Sequence, residues 1–197
     1  EFNVLCLKDG FYDSGLAIKT ADKTILNLND CEINNNKRCK EILKITGECN
    51  ILATQFSYAS WKGGVENSEW RITAAKEKIE AMKLQTLYFK PKLVVPFASY
   101  IYFSNRANYY LNDDANTPND IVNAFENMST KVKIMKPFQV IDDIEDDVVN
   151  KNALSFWNNA IKALNKKNLQ TFELVSFRDL EKSFKSYQKR VFKNNSK

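Results

Sequence analysis

The 197-residue chain contains no histidine. That absence removes Ser-His-Asp and Cys-His nucleophilic arrangements, imidazole acid–base catalysis and every His-based zinc site from what this chain can build alone. The four cysteines, Cys6, Cys31, Cys39 and Cys49, form no CxxC pair, so a zinc site made of them lacks the close ligand pairs that zinc ribbons use. Glycine (5) and proline (4) are scarce, so the chain is not of low complexity. No apolar run approaches the roughly 20 residues that a membrane-spanning helix needs, and no signal peptide is legible. The thiols are expected to be free in a reducing cytoplasm, and no membrane partner is expected.

Of the residues present, 44% are hydrophobic and 27% charged, a balance suited to a globular domain long enough to bury a core. The net charge of +5 is modest and gathers near the end, in Lys162, Lys166, Lys167, Lys182, Lys185, Lys189, Arg190, Lys193 and Lys197. A basic tail can bind nucleic acid or an acidic membrane. Charge alone speaks to solubility and weak association, so a solvated helix face with a frayed end is expected. The chain opens on strand-like residues, Phe2, Val4 and Leu5, and reads as a fragment of a longer polypeptide.

Alternation and turn signals predict strands over 2–8, 14–20 and 24–29, with a turn at Asp9-Gly10 and another at 21–23. In the third strand Leu26 and Leu28 face one side and Ile25, Asn27 and Asn29 the other. Cys39, Ile42, Leu43 and Ile45 mark a short helix over 35–46, with Gly47 as its stop. A buried strand follows over 50–56, then a polar and aromatic loop, 57–67. The longest helix is predicted over 68–88. Ser68 is its N-cap, Ile72, Ala75, Ile79, Met82 and Leu87 form its apolar stripe, and Pro91 ends it. Residues 92–97 return to a strand. This order predicts an α/β class with helices packed on a sheet. Beyond it, 98–116 is irregular and aromatic-rich. Thr117-Pro118 opens a helix with Ile121, Val122 and Phe125 inward, and 131–141 reads as extended. An acidic connector, 144–149, leads to helices over 150–166 and 177–193. The domain expectation is an αβ portion, 1–149, and a C-terminal helical extension, 150–197.

Three places could carry chemistry. Asp30 ends an alternating strand, where α/β sheets open onto a ligand crevice. An aspartate there more often makes a turn or caps a helix. The loop QFSYASWKGG (55–64) holds Tyr58, Ser60, Trp61 and Lys62 beside a glycine pair that permits close approach. Tyr58 and Trp61 could equally close the end of the sheet. From Ser99 to Asn116, tyrosines alternate with Asn and Asp. That segment suits a pocket for a sugar or nucleotide, a stacking platform for single strands, or an aromatic core edge. The mixed charge around it disfavours nucleic acid. A carboxylate-only metal site drawn from Asp30, Glu32, Asp113 and Asp114 stays open.

Taken in order, YDSGLAIKTADKTILNLNDCEI, ILATQFSYASWKGG and PKLVVPFASYIYFSNRANYYLNDDANTP resemble the metallo-β-lactamase fold superfamily, most nearly its CMP-N-acetylneuraminate hydroxylase-like and UlaG-like branch. The resemblance spans about residues 11–125. It implies an αββα sandwich, of which this chain would be the C-terminal half followed by C-terminal helices. It further implies a divalent metal centre (zinc, iron or manganese) at the open sheet edge, with Asp30 in the metal-bridging position. Two such cations would stabilise a hydroxide that attacks a phosphate or carbonyl centre. Tyr58, Ser60, Trp61, Tyr100 and Asn108 would line the cleft for a small substrate, sugar- or phosphate-containing.

The family's His-x-His-x-Asp-His motif is absent, and the region near 97–116 offers only Asn, Asp, Ser and Tyr where a last histidine often lies. A metal-dependent hydrolase or oxidoreductase, inactive as this fragment alone, is the leading expectation. A missing N-terminal segment or partner chain would complete it. A metal-free binding or structural module and a nucleic-acid-binding module are the alternatives.

Overall fold

The computed structural model describes residues 1–6, 13–141, 150–165, 169 and 173–195. The expected Asp9-Gly10 turn, the end of the first strand and the acidic connector lie outside them. The protein is an α/β structure built on one six-stranded mixed sheet whose spatial order equals its chain order. β1 (Phe2–Cys6), β2 (Ser14–Lys19) and β3 (Thr24–Asn29) are antiparallel neighbours. β4 (Ile51–Gln55), β5 (Leu93–Phe97) and the short β6 (Lys131–Val132) then add in parallel. Each parallel step needs a crossover. α1 (Asn36–Thr46) joins β3 to β4, α2 (Ser68–Phe89) joins β4 to β5, and α3 (Pro118–Ala124) precedes β6.

Alternation along the strands sorts the sheet into two unlike faces. On one, Ala17, Leu26, Leu52 and Val94 lie side by side and are completely buried. Cys39 and Ile42 of α1 and Met82 and Phe89 of α2 share their core. On the other face, Val4 pairs with Leu16, and Phe2 with Ile18, which in turn pairs with Ile25; the row continues through Ile51. Phe2 and Val4 are 75% and 67% exposed, and Leu16, Ile18, Ile25, Ile51, Ala53, Val95 and Phe97 are only half-buried. The helices cover one face; the other is apolar and only partly covered, most open at β1 and closed at Leu93, the neighbour of Ile51, which is fully buried.

Local chemistry sets the helix ends. Asn35 caps α1 by accepting from the Arg38 N–H (3.0 Å). Gly47 stops it at φ 71°, a left-handed backbone that suits glycine, with its N–H on the Leu43 carbonyl. Thr117 and Asp120 form a capping box on α3, with Pro118 in its first turn. α2 keeps the expected span to within a residue, but its N-cap position is Asn67 rather than Ser68. Ser68 is already helical and uses its hydroxyl on Asp114, and the helix ends at Phe89, one residue before a left-handed Lys90 (φ 44°). Its inner face is shifted as well. Ile72 and Leu87 are 40% and 67% exposed, while Arg71, Gln85 and Thr86 are buried. Polar partners made this possible: Gln85 accepts from Thr54 (2.7 Å) and donates to the Ile33 carbonyl (2.9 Å).

The predicted extended run 131–141 pairs for only two residues. Past them the Asn150 side chain takes the strand-edge groups, accepting from the Ile134 N–H and donating to the Val132 carbonyl. The expected C-terminal extension divides in two. α4 (Lys151–Asn165) joins the core through Ala153, Leu154 and Trp157, whose indole donates to the Met135 carbonyl. α5 (Phe177–Asn195) has no buried residue.

Candidate functional site

β3, β4 and β5 run parallel, so their C-terminal ends open on one edge of the sheet, where α/β folds place ligands. Asp30 follows β3, Ser57 and Tyr58 follow β4, and Ser99 and Tyr100 follow β5. Two of these exits pass through left-handed non-glycine residues, Asn29 (φ 51°) and Ala98 (φ 59°). Such backbone is costly and clusters at functional edges. At β3 the register shifts between Asn27 and Asn29. The Asn27 side chain accepts from the Asn29 N–H (2.8 Å), and the Asn29 amide donates to Asp30 (2.6 Å). This leaves Asp30 exposed at the strand tip with one carboxylate oxygen braced.

Most of the polar residues along the quoted motifs support the backbone. The Ser99 hydroxyl accepts from the Phe56 and Ser57 N–H groups (both 3.0 Å) and donates to the Ser57 carbonyl (3.1 Å). Asn116 donates its backbone N–H to the Ser57 hydroxyl and its side-chain amide to the Phe56 and Ala75 carbonyls. Tyr58 is 1% exposed, and its hydroxyl donates to the Leu111 carbonyl (2.7 Å). Burial, with Asp114 nearby, pushes that hydroxyl up to about 12. Tyr58 therefore braces the edge of the sheet.

The other expected contacts scatter. Ser60 is exposed. Trp61 is 62% exposed and packs edge-on against Trp70 at 5.7 Å, with Lys62 over the Trp70 ring. Tyr100 stacks on Trp157 at 4.0 Å. Its hydroxyl and the Asn108 side-chain oxygen are buried without a hydrogen-bond partner among the described residues. Burial pushes the Tyr100 hydroxyl well above its ordinary range. A cavity of about 100 Å³ adjoins it, lined by Phe56, Tyr102, Pro118, Trp157 and Ile161.

Of the four carboxylates weighed as metal ligands, Asp114 is already engaged. It takes the Arg71 Nε (2.7 Å) and the Ser68 hydroxyl (3.1 Å). Arg71, 3% exposed, also donates to the Gly64 and Val65 carbonyls and stacks on Tyr110. Arg71 thus fastens the 57–67 loop to α2 through the Gly64 and Val65 carbonyls, and its pair with Asp114 ties α2 to the 98–116 segment. Among the described residues no group of three or more His, Cys, Asp or Glu side chains converges as a metal site.

A larger cleft, about 720 Å³, lies beside Asp30, between residues 31–34, the end of β4 and α2. Its walls include Glu32, Gln55, Lys62, Glu77 and Lys78. Lys78 is half-buried, and desolvation, opposed first by Glu32, lowers its ammonium from the ordinary value. Helical spacing gave no reason to single out this lysine among the others of α2. Cys31 also lines the cleft and is a buried free thiol, pushed up to about 11 by burial and by Asp13 and Asp30.

No family model and no curated protein matches this chain.

Proposed function

We propose that this chain is the C-terminal αβ half of a metallo-β-lactamase-like αββα sandwich, in which Asp30 gives one carboxylate to a divalent metal centre of a hydrolase or oxidoreductase. The observation that carries this reading is the half-buried apolar sheet face that runs from the Ile18, Ile25 and Ile51 row at the start of β3 and β4 to Leu16, Ala53 and Phe97 toward the edge where Asp30 stands. A sheet face of that composition belongs against another layer. A second sheet, from a further segment or a partner chain, would cover it and bring ligands to the same edge. In this reading Asp30 is the ligand assigned to this chain, and no catalytic step is assigned through the metal.

The expected substrate is a small molecule bearing phosphate or sugar. Lys62 and Lys78 offer an anion two ammonium groups beside the carboxylates of Glu32 and Glu77, and the exposed Trp61 suits a sugar face. The buried free thiols Cys31, Cys39 and Cys49 accord with a reducing cytoplasm. The same fold as a metal-free binding module is the second reading, favoured by the use of Ser57, Tyr58, Ser99 and Asn116 as backbone supports. Metal analysis of the natural polypeptide that carries this chain separates the two. Bound zinc, iron or manganese, lost in Asp30→Asn with circular dichroism unchanged, is the expected result. Absence of metal, or retention by the variant, overturns the proposal.

A further inference from the structure

α5 is the largest element that the fold does not use. Phe177, Leu180, Phe184 and Tyr187 recur at steps of three and four residues, on one helix face. They are 82%, 54%, 57% and 53% exposed. Leu174 and Val175 extend the strip toward the N-terminus, at 100% and 62% exposed. The same helix carries Arg178, Lys182, Lys185, Lys189, Arg190 and Lys193 against only Asp179 and Glu181. An apolar face of this size, on a helix whose opposite face is cationic, needs an occupant that is apolar beneath an anionic skin.

A second copy of the chain does not meet that need. The seam is shorter than the three to four heptads that sustain a coiled coil, and two such basic helices repel. A bilayer with anionic headgroups does meet it, because bulky apolar residues opposite a Lys/Arg-rich face are the marks of an interfacial helix. No helix among the described residues is long and apolar enough to cross a membrane, so the geometry is one of lying on the surface. We propose that α5 docks this protein on an anionic membrane surface. Phe177, Leu180, Phe184 and Tyr187 sink below the headgroups, and the lysines and arginines lie against them. The proposal is independent of the metal-site reading.

The test uses the whole 197-residue chain with vesicles of phosphatidylcholine, with and without phosphatidylserine, read by co-sedimentation. Binding is expected only with phosphatidylserine and should weaken as salt rises. Each basic residue at the surface contributes about fivefold, so Lys185→Gln with Lys189→Gln should weaken binding on the order of 25-fold. Phe184→Ser should also lose binding. Because these side chains are exposed, both variants should keep the parent circular dichroism spectrum. The proposal is overturned by absence of binding to phosphatidylserine vesicles at low salt, by equal binding to neutral vesicles, or by variants that bind like the parent. The last result would assign any binding to the partly covered sheet face. A dimer abolished by Phe184→Ser, with no vesicle binding, would assign the face to a second copy instead.

Discussion

Truncating Asp114 to alanine strips a buried guanidinium of its counter-ion. Arg71 is 3% exposed and Asp114 14%. The Arg71 Nε–H then faces protein with no acceptor, and Ser68 loses the group its hydroxyl binds. Removing one partner of a buried pair costs roughly 3–5 kcal/mol. Asp114 keeps some contact with solvent, and Arg71 retains the Gly64 and Val65 carbonyls, so the lower end applies, about 3 kcal/mol. With a urea dependence of about 2 kcal/mol per molar, the midpoint should fall by about 1.5 M. Urea titration followed by tryptophan fluorescence reads this directly, since Trp61 lies in the fastened loop and packs on Trp70 of α2. Replacing both partners by apolar residues, Arg71→Met with Asp114→Leu, should be less damaging than Asp114→Ala alone, because it leaves no unpaired buried charge. A midpoint within about 0.2 M of the parent for Asp114→Ala, or a double variant that simply sums the single losses, refutes the reasoning.

The two serines of the neighbouring motifs should behave oppositely. Ser99→Ala orphans two buried N–H groups and one carbonyl and should cost about 2–4 kcal/mol, whereas the exposed Ser60→Ala should stay within about 0.5 kcal/mol of the parent; denaturation midpoints decide. Burial raises Cys31 and Cys39 to about 11 and Cys49 to about 12, from an ordinary 9.0. A thiol kept protonated in the native state but free to ionise when unfolded stabilises fully below pH 9, and that stabilisation is lost as pH rises through the folded values. Thermal melts should be insensitive to these thiols up to pH 9 and fall between about 9 and 12. Lys78, whose shift has the opposite sense, should offset a small part of the fall. Cys49→Val should flatten the alkaline limb, and an unchanged limb counts against the account.

Periodicity made much of the frame legible. The alternation in TILNLN put Leu26 and Leu28 on one side of the strand, and the structure buries that side. Gly47 and Thr117-Pro118 marked helix ends because those residues act through their own backbone and nearest neighbours. Errors came where a distant partner overruled the local signal. Arg71 and Gln85 displaced Ile72 and Leu87 from the inner face of α2 because Asp114, Thr54 and Ile33 satisfy them. The side chain of Asn150 cut short the strand that 131–141 suggested. Within the candidate site, Asp30 was readable as a strand-tip carboxylate, while Tyr58 was readable only as an aromatic in a loop. Nothing local tells that its hydroxyl will be spent on Leu111.

The sequence by itself determined most of the element types, the two-sided pattern of the alternating strand 24–29 and the exclusion of histidine chemistry, because those depend on residue identity and on spacing along one chain. Only the tertiary structure decided which polar side chains are free to meet a ligand. It gathered Lys78, Glu32 and Gln55 around one cleft, tied Asp114 to Arg71, and left one apolar sheet face only partly covered and one apolar helix face open. A hydrogen bond or an uncovered surface is a relation between residues far apart in the chain, and it exists only once the backbone has brought them together.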